Sequence, residues 1–282
     1  MIVVTGASGQ LGRVVIEELL HKLPAGQIVA VVRSPDRVKD LADRGVQVRQ
    51  GDYDQPETLK AALKGADKLL LISSNQVGRR FEQHKAVIEA AKRAGVKLLA
   101  YTSILHADTS PMGLAGEHKQ TEALLKASGI PLVLLRNGWY TENYTASIPA
   151  ALQHGVFLGS AGDGRIASAA RADYAAAAAA ALLRDDQAGK VYELAGDEAY
   201  TLSGLAEEVS RQSGRTVTYK NLSEADFKAA LIGAGLPEWV AGMLAESDIG
   251  ASKGGLFDDQ RQLSRLIGRP TTPLASVVKA AI

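Results

Sequence analysis

The amino-acid sequence predicts an α/β protein, with a doubly wound parallel sheet of the Rossmann type and a small, mostly helical C-terminal lobe. Apolar runs that are rich in β-branched residues alternate with amphipathic segments over the first half of the chain. Continuous apolar runs are typical of parallel strands buried on both faces, and this alternation predicts right-handed crossovers. Gly6, Gly9 and Gly12 follow the first run, where the first amphipathic segment begins.

These three glycines predict an anion-binding turn between a strand and a helix. Gly6 allows the strand to end in a tight turn, and Gly9 carries no Cβ that would block a pyrophosphate. Gly12 lets the helix pack closely on the strand, and the free N–H groups of the helix then face the anion. The spacing is Gly-x-x-Gly-x-x-Gly, which is typical of short-chain dehydrogenases/reductases. An ordinary strand–helix turn is the alternative.

The second and third predicted strands lead to residues that could bind the adenosine part of a dinucleotide. The strand at 27–32 ends at Arg33, where an arginine accommodates a 2′-phosphate and an acid would bind the 2′-hydroxyl. Arg33, with Arg37 as a second candidate, therefore favours NADP(H) over NAD(H); a solvated loop arginine is the alternative. A helix over 34–42 and a strand at 46–50 precede Asp52, which commonly contacts the adenine in short-chain reductases.

The fourth strand, at 68–72, follows a helix over 56–63 and opens into small polar residues. Ser73, Ser74 and Asn75 come at the carboxyl end of a central strand, where open α/β sheets bind ligands. We expect them on the ribose and pyrophosphate side of the cofactor. Capping of the next helix is the alternative.

Later segments complete the sheet and then depart from the regular alternation. We predict a helix over 84–94, a strand over 96–101 that precedes Ser103, a helix over 117–127, and a strand over 131–135 that leads into 136–143. The segment 155–165 reads as a glycine-rich loop. Beyond it we expect a helix over 171–183, a strand over 190–194, a helix from Thr201, a strand at 216–219 and two more helical segments. The predicted domains are a nucleotide-binding domain, 1–150 with 165–196 returning to the sheet, and a smaller substrate-covering lobe, 197–282.

Composition excludes several classes of function. The 282 residues are 46% hydrophobic and 22% charged, with a net charge of +1, so no basic surface indicates nucleic acid or membrane binding. The chain has no cysteine, which excludes disulfides, cysteine-bound metals and thiolate catalysis. Because the N-terminus enters the first strand directly, we expect no signal peptide, and we expect a cytoplasmic protein without a metal. The oligomeric state is not predicted.

The catalytic residues of an ordinary short-chain dehydrogenase are incomplete here. That site uses a Ser with Tyr-x-x-x-Lys, and extended members place a Glu four residues after the Lys. In this frame Glu122 takes the Glu position, His118 the Lys position and Leu114 the Tyr position, while Ser103 remains. Reduction of a ketone passes through a strongly basic alkoxide that needs a positioned acid. A quinone gives instead a phenolate-like anion with a pKa near that of tyrosine, about 10, which water or a weakly placed side chain can protonate.

Four segments carry a resemblance to a known family. They are Thr-Gly-Ala-Ser-Gly-Gln-Leu-Gly at 5–12, Leu-Leu-Leu-Ile-Ser-Ser at 69–74, Ala-Tyr-Thr-Ser at 100–103 and Leu-Leu-Arg-Asn-Gly-Trp-Tyr-Thr-Glu-Asn at 134–143. The chain resembles the NmrA-like atypical short-chain reductases, and within them the flavin-independent NADPH:quinone oxidoreductases, from residue 1 to the tail. Triphenylmethane dye reductases resemble it more distantly.

The resemblance implies an NADPH site and a quinone site. It implies NADPH binding through Arg33 and three segments: Gly6, Ala7, Ser8, Gly9, Gln10 and Leu11; then Ser73, Ser74, Asn75 and Gln76; then Asn137, Gly138, Trp139, Tyr140, Glu142 and Asn143. It also implies a quinone site between the sheet and the C-terminal lobe. Trp139 could stack on the quinone, and Phe257 and Trp239 could line its pocket, although ordinary packing is the favoured explanation for all three.

Candidates for the proton donor are His118 and Tyr140, with His106 a weaker one. A lone histidine on a helix that faces a sheet is also a common packing residue, so this alternative stays open. Three functions remain at this point: direct hydride transfer from NADPH to a quinone, reduction of another conjugated acceptor such as a triphenylmethane dye, and a dinucleotide-sensing protein without catalysis.

Overall fold

The computed structural model describes residues 1–282 as strands and helices joined by short loops. The strands are β1 (Ile2–Val4), β2 (Ile28–Val32), β3 (Gln47–Gln50), β4 (Lys68–Leu71), β5 (Leu98–Ile104), β6 (Leu132–Asn137), β7 (Val156–Gly159), β8 (Val191–Leu194) and β9 (Thr218–Asn221). The helices are α1 (Gln10–Leu20), α2 (Lys39–Asp43), α3 (Pro56–Ala62), α4 (Arg80–Ala94), α5 (Ala115–Ser128), α6 (Thr141–Thr145), α7 (Ile148–His154), α8 (Arg171–Leu183), α9 (Leu202–Ser213), α10 (Glu224–Gly233), α11 (Glu238–Ser252), α12 (Gln262–Ile267) and α13 (Leu274–Ala281). Short 3₁₀ segments occupy Ala25–Gln27 and Pro35–Val38.

The chain divides into two compact units. The first unit comprises 1–104, 116–137 and 172–192, and the second comprises 105–115, 138–171 and 193–282. No helix is long and apolar enough to cross a membrane.

The first unit is built on a sheet with strand order β3-β2-β1-β4-β5-β6-β8. The pairs β1–β2, β1–β4, β2–β3, β4–β5 and β5–β6 are all parallel. The chain reverses its direction of winding between β1 and β4, and open α/β sheets bind ligands at this switch point, beyond the carboxyl ends of the strands. The carboxyl ends of β1 and β4 carry the glycine turn and Ser73, respectively.

The core of the first unit is formed by the strands that the sequence reads as continuously apolar. Every residue of β2 and β5 is buried, and Val3, Leu69 and Leu99 are fully inaccessible. Burial on both faces requires apolar side chains at successive positions, which is why these strands show no alternation. The predicted fold class, a Rossmann-type α/β protein with helical C-terminal elements, is confirmed.

The second unit contains a two-stranded parallel sheet, β7–β9, and the helices α9 to α13. The Thr201 hydroxyl accepts a hydrogen bond from Gly204 N–H at 3.1 Å and caps α9, as the sequence predicts. The predicted loop over 155–165 is wrong at 156–159, which form β7. Gly159 is a packing glycine, because a Cβ there would lie 2.6 Å from Leu202 Cδ1.

Two further boundaries differ from the sequence prediction. Four helices, α10 to α13, follow β9 where two helical segments were expected. The weak amphipathic pattern of α10 and α11 does not mark where each helix begins and ends. The helix predicted at 84–94 begins four residues earlier, at Arg80.

Candidate active site

The turn between β1 and α1 has the geometry of an anion site. Gly6 has a φ of +62°, which favours glycine. A Cβ on Gly12 would lie 2.4 Å from the Gly6 carbonyl oxygen, so only glycine fits this helix start. Gly9 precedes α1 without a side-chain cap, and the first turn has no acidic residue. The N–H groups at this helix end are therefore available to a negatively charged ligand.

The remaining residues of the turn alternate between the interior and the surface. Ala7 and Leu11 are buried and anchor the turn, whereas Ser8 and Gln10 are exposed on its outer side. The Ala7 N–H donates to the Val31 carbonyl oxygen at 3.3 Å, which ties the turn to the neighbouring strand.

A half-buried tyrosine ties the glycine turn to the end of β4. The Tyr53 hydroxyl donates to Ile72 O at 3.0 Å and lies 2.5 Å from Thr5 Oγ1. Thr5 in turn donates to Leu70 O at 3.0 Å. Burial raises the pKa of Tyr53, so it stays a neutral phenol. These contacts bring together the carboxyl ends of β1 and β4 and the segment that contains Asp52.

Arg33 and Arg37 both lie on the surface after β2. The Arg33 guanidinium is exposed and takes part in no hydrogen bond or ion pair within the protein. Arg13, by contrast, is held by Asp40 at 2.8 Å and donates to the Arg37 carbonyl oxygen at 2.6 Å. Arg33 and Arg37 therefore both present a guanidinium that is free to bind a phosphate, whereas Arg13 does not.

Asp52 lies after β3 and makes hydrogen bonds with neighbouring residues along the chain. Its Oδ1 accepts from the Asp54 N–H at 3.1 Å, and its own N–H donates to Thr58 Oγ1 at 2.9 Å. These bonds fix the carboxylate beside the carboxyl edge of the sheet.

The loop after β4 is held in place by hydrogen bonds to α4 and β5. The Ser73 N–H donates to Thr102 Oγ1 at 2.8 Å, and the Ser74 hydroxyl donates to Gln83 Oε1. The Gln76 side chain accepts from Gln83 Nε2 at 3.1 Å, and Asn75 is exposed. The position that precedes α4 is Arg79, with no side-chain cap, so Ser73, Ser74 and Asn75 do not serve as its cap.

Arg80, the first residue of α4, is a buried cation. Its side chain is 6% exposed; Nε donates to Ser74 O at 2.7 Å, and Nη1 is sealed without a hydrogen-bond partner. Burial lowers the pKa of Arg80, and Tyr101 and Glu117 lie close enough to favour its charge.

Ser103 and Glu122 belong to a buried ion pair. Ser103 pairs with Arg136 in the register of β5 and β6. Arg136 donates to Glu122 through Nε at 2.9 Å and Nη2 at 2.6 Å, and the Ser103 hydroxyl donates to Glu122 Oε1 at 2.6 Å. The Ser103 proton is therefore engaged by Glu122, and the triad is internally neutralised.

His118 lies in a buried network with a second histidine and a tyrosine. The Tyr101 hydroxyl is 2.7 Å from His118 Nδ1 and 3.4 Å from His84 Nδ1. His84 Nδ1 is 3.0 Å from Thr121 Oγ1, and His84 Nε2 accepts from Ser74 N–H at 2.9 Å. Burial and then Arg80 lower the pKa of His84 to about 3, and the same causes hold the pKa of His118 well below its ordinary value.

The segment 137–143 starts at the end of β6. Asn137 is buried, and its Oδ1 makes no hydrogen bond with the protein. In the second unit, Gly138 N–H donates to Leu194 O at 2.7 Å, and buried Trp139 accepts from Ala169 N–H at 3.1 Å through its carbonyl oxygen.

Two charged residues fix the rest of that segment. Both oxygens of Glu142 accept from the Arg171 N–H, at 2.9 and 3.0 Å, so Glu142 caps the start of α8. The Arg171 guanidinium lies 4.7 Å from the centroid of the half-buried Tyr140 ring. The Asn143 N–H donates to Tyr140 O at 3.0 Å.

Three weaker candidates lie in the second unit. His106, with a φ of 52°, lies 3.6 Å from Glu193 and 3.4 Å from Asp258. Phe257 packs on a small buried cluster under the Arg165 guanidinium, and Trp239 is 58% exposed.

Comparison with known proteins agrees with this arrangement. The NmrA-like family profile matches residues 1–263. The chain belongs to the NmrA-like family. It is 63% identical over 278 residues, 99% of this chain and 97% of the relative, to quinone oxidoreductase 2 of Escherichia coli (strain K12). It is also 30% identical over 282 residues, 99% of this chain and 97% of the relative, to an NAD(P)H azoreductase of Xenophilus azovorans.

Solved structures of NmrA-like relatives superpose over the full chain. The Escherichia coli NADPH-dependent quinone oxidoreductase in complex with NADPH matches with a TM-score of 0.97 and 63% identity, covering 99% of both chains. The Citrobacter sp. triphenylmethane reductase in complex with NADP(H) matches with a TM-score of 0.96 and 39% identity, covering 100% of both chains.

Sequence reasoning missed several polar residues of this site. Tyr53, Arg80, His84 and Tyr101 were not singled out, because single polar residues within apolar segments read as ordinary helix and strand positions. One signal was available for Tyr101: a hydroxyl within a fully buried strand must find a partner on a neighbouring element.

Proposed function

We propose that the protein is an NADPH-dependent quinone reductase that transfers a hydride directly to a quinone without flavin or metal. Its 63% identity to quinone oxidoreductase 2 over nearly the full chain supports this function. The structural observation that supports this function is that no polar group near the end of β5 is available as a strong acid. Ser103 is committed to the Glu122–Arg136 ion pair, and His118 is buried with a lowered pKa.

Such a site suits an acceptor that stabilises its own negative charge. An alkoxide would need a positioned acid, whereas a hydroquinone anion resembles tyrosinate, with a pKa of about 10. Water can protonate that anion, so the protein has only to orient the two reactants and exclude competing water during transfer.

The residues of the first unit fit NADPH. The glycine turn leaves the N–H groups at the start of α1 without a side-chain cap, Gly12 permits the close packing of this helix start on the turn, and Arg33 offers a free guanidinium beside it. Asn137 Oδ1 is a buried acceptor without a protein partner, as expected of a group that receives a ligand hydrogen bond. We assign the pyrophosphate to the turn, the 2′-phosphate to Arg33, the adenine to Asp52, and the ribose side to the loop 73–76. When bound, NADPH supplies the hydride.

We assign the segment 138–143 of the second unit to the nicotinamide end of NADPH. The segment is fixed at its start by the Gly138 bond to Leu194 and near its end by the Glu142 bonds to Arg171. In this assignment Glu142 acts by holding the segment, and Tyr140 and His118 remain the proposed residues near the acceptor.

A turnover assay tests the proposed function. NADPH oxidation is followed with a benzoquinone, a naphthoquinone and a triphenylmethane dye in parallel, without added flavin. Turnover with the quinones is expected, and the dye tests how broad the acceptor pocket is, since the triphenylmethane reductase is 39% identical. Tight NADPH binding without any turnover would instead support a dinucleotide-sensing protein. The cytoplasmic location remains a prediction.

The Arg33 assignment has its own test. Arg33→Ala should weaken NADPH binding far more than NADH binding, because only NADPH carries the 2′-phosphate. Arg93→Ala, an exposed arginine paired loosely with Glu89 on α4, is the matched control and should change neither affinity. Equal losses for NADPH and NADH in Arg33→Ala would refute the assignment.

A further inference from the structure

The buried network around Tyr101 determines where each proton lies. A backbone N–H can only donate, so His84 Nε2, which receives the Ser74 N–H at 2.9 Å, carries a lone pair. A neutral imidazole with a lone pair on Nε2 has its proton on Nδ1. His84 is neutral, because a second proton would point at the Ser74 N–H.

The next bonds follow from that proton. His84 Nδ1–H donates to Thr121 Oγ1 at 3.0 Å, and the Thr121 hydroxyl proton is already given to Glu117 O at 2.8 Å. Since His84 Nδ1 bears a proton, it cannot accept from Tyr101. Thr121 is a further neighbour of the Tyr101 hydroxyl, and the shortest contact of that hydroxyl is to His118 Nδ1 at 2.7 Å, to which we assign the Tyr101 proton.

The proton of His118 is in consequence on Nε2. No hydrogen bond of this nitrogen to the protein is present, and it is not among the sealed atoms that lack a partner. His118 lies on α5 one turn before Glu122, which binds Ser103 at the carboxyl end of β5. His118 thus lies at the carboxyl edge of the sheet, where open α/β sheets bind ligands, and its Nε2–H has no hydrogen-bond partner in the protein.

We propose that Tyr101 is a positioning residue that holds His118 neutral with its proton on Nε2, so that His118 stabilises the acceptor oxygen as a hydrogen-bond donor and does not give up its proton. The role at the acceptor rests on the proposed quinone reductase function; the proton positions do not. The quinone gains a hydride and becomes the hydroquinone anion, which takes its proton from water. His118 keeps its proton throughout, so its imidazole does not have to be reprotonated between turnovers.

The charges around His118 act in the same direction. Burial disfavours an imidazolium most, and the Arg80 guanidinium on α4 adds to this effect, whereas His84, also on α4, is neutral in this network. Glu117 and Glu122 on α5 are the nearby carboxylates; Glu122 is neutralised by Arg136. Protonation of His118 would also turn a second N–H toward Tyr101 and leave the phenol proton without an acceptor.

Nitrogen NMR of ¹⁵N-histidine-labelled protein tests the proton positions without any activity. We expect an unprotonated Nδ1 and a protonated Nε2 for His118, the reverse for His84, and no titration of either between about pH 6 and 9. His118→Gln assigns the signals. A protonated Nδ1 on His118, or its titration in that range, would overturn the proposal even if the enzyme reduces quinones.

Tyr101→Phe tests the consequence for catalysis. We expect the Nδ1–H form of His118 to appear in the spectrum and kcat to fall by roughly 2- to 10-fold, the equilibrium value of one hydrogen bond, with an unchanged KM for NADPH. Tyr192→Phe, whose hydroxyl donates to Gln187, is the matched control and should change neither spectrum nor kcat.

Three outcomes remain distinguishable. An unchanged His118 spectrum and kcat in Tyr101→Phe would overturn the positioning role. Absence of quinone turnover in the unmodified protein, with the expected proton positions, would overturn the role at the acceptor and the proposed function together. If Tyr101→Phe does not fold, the spectrum of the unmodified protein decides the proton positions alone.

Discussion

Asp248, in the second unit, should make the protein less stable as the pH rises through the mildly acidic range. Its side chain is 4% exposed; Oδ2 accepts from the Ser160 N–H at 2.8 Å and Oδ1 from the Tyr144 hydroxyl at 3.1 Å. Desolvation outweighs these two bonds and raises the pKa of Asp248 from 3.8 to about 6. The folded state therefore binds this proton more tightly than the unfolded chain.

The sign and size of the effect follow by linkage. Below about pH 4 the carboxyl group is protonated in both states and carries no penalty. Between about pH 4 and 6 the unfolded chain releases this proton while the folded state keeps it, so stability falls; above about pH 6 the folded state holds a buried carboxylate and the loss is complete. The difference between 3.8 and about 6 corresponds to about 3 kcal/mol, at 1.36 kcal/mol per pH unit.

Asp248→Asn should remove this loss. An amide is neutral like the protonated carboxyl group: its oxygen can accept from the Ser160 N–H, and its NH2 can donate to the Tyr144 hydroxyl oxygen. The variant and the parent should therefore be close in stability near pH 4. Above about pH 7 the variant should be more stable by up to about 3 kcal/mol, measured as urea unfolding free energies over a pH series. Asp163→Asn, at an exposed position of the same unit, is the control. A stability difference that stays constant from pH 4 to about 8 would refute this reasoning.

Two other variants test the buried ion pair and the glycine turn. Glu122→Gln removes the buried carboxylate that pairs with the Arg136 guanidinium, which is 7% exposed, and should destabilise the protein by about 3–5 kcal/mol in urea unfolding. Glu89→Gln, in an exposed pair, should change stability little, and a small effect at Glu122 would contradict the geometry. Gly12→Ala places a Cβ 2.4 Å from the Gly6 carbonyl oxygen and should abolish NADPH binding measured by calorimetry. The control is Gly242→Ala within α11, where the nearest neighbour of the new Cβ is 3.7 Å away, and binding should stay intact. Retained NADPH affinity in Gly12→Ala would refute the close approach at Gly12.

The parts of the fold that local patterns determine could be predicted from the sequence. The strands β1, β2 and β4 are continuous apolar runs bounded by polar residues, and Thr201 marks the start of α9 by its capping side chain. A strand at 216–219 was predicted close to β9, but β7 and the pairing of β7 with β9 across about 60 residues of chain were not, because neither strand has a pattern that specifies its partner. Glycines at 155 and 159 also make β7 resemble a loop, although one ends α7 and the other makes room for Leu202.

The candidate site shows the same division between local and non-local information. Ser103, Glu122 and His118 could be found, because each has a fixed spacing in the short-chain dehydrogenase frame. Their protonation states and hydrogen-bond partners could not be predicted, since these depend on residues from other strands and helices. Arg136 becomes the partner of Glu122 only through the β5–β6 register, which sets it opposite Ser103.

The loss of the usual Tyr and Lys changes what the remaining polar residues can do. With Glu122 neutralised by Arg136, the Ser103 hydroxyl is drawn toward a carboxylate and away from a substrate oxygen. The remaining imidazole at the Lys position is kept uncharged by burial and by Arg80. An acceptor bound there meets a neutral N–H donor and a positive field from Arg80, but no strong acid. That combination favours electron-accepting substrates whose reduced forms are weak bases, and it disfavours simple ketones, because their alkoxides would have to be protonated by water against a far larger difference in pKa.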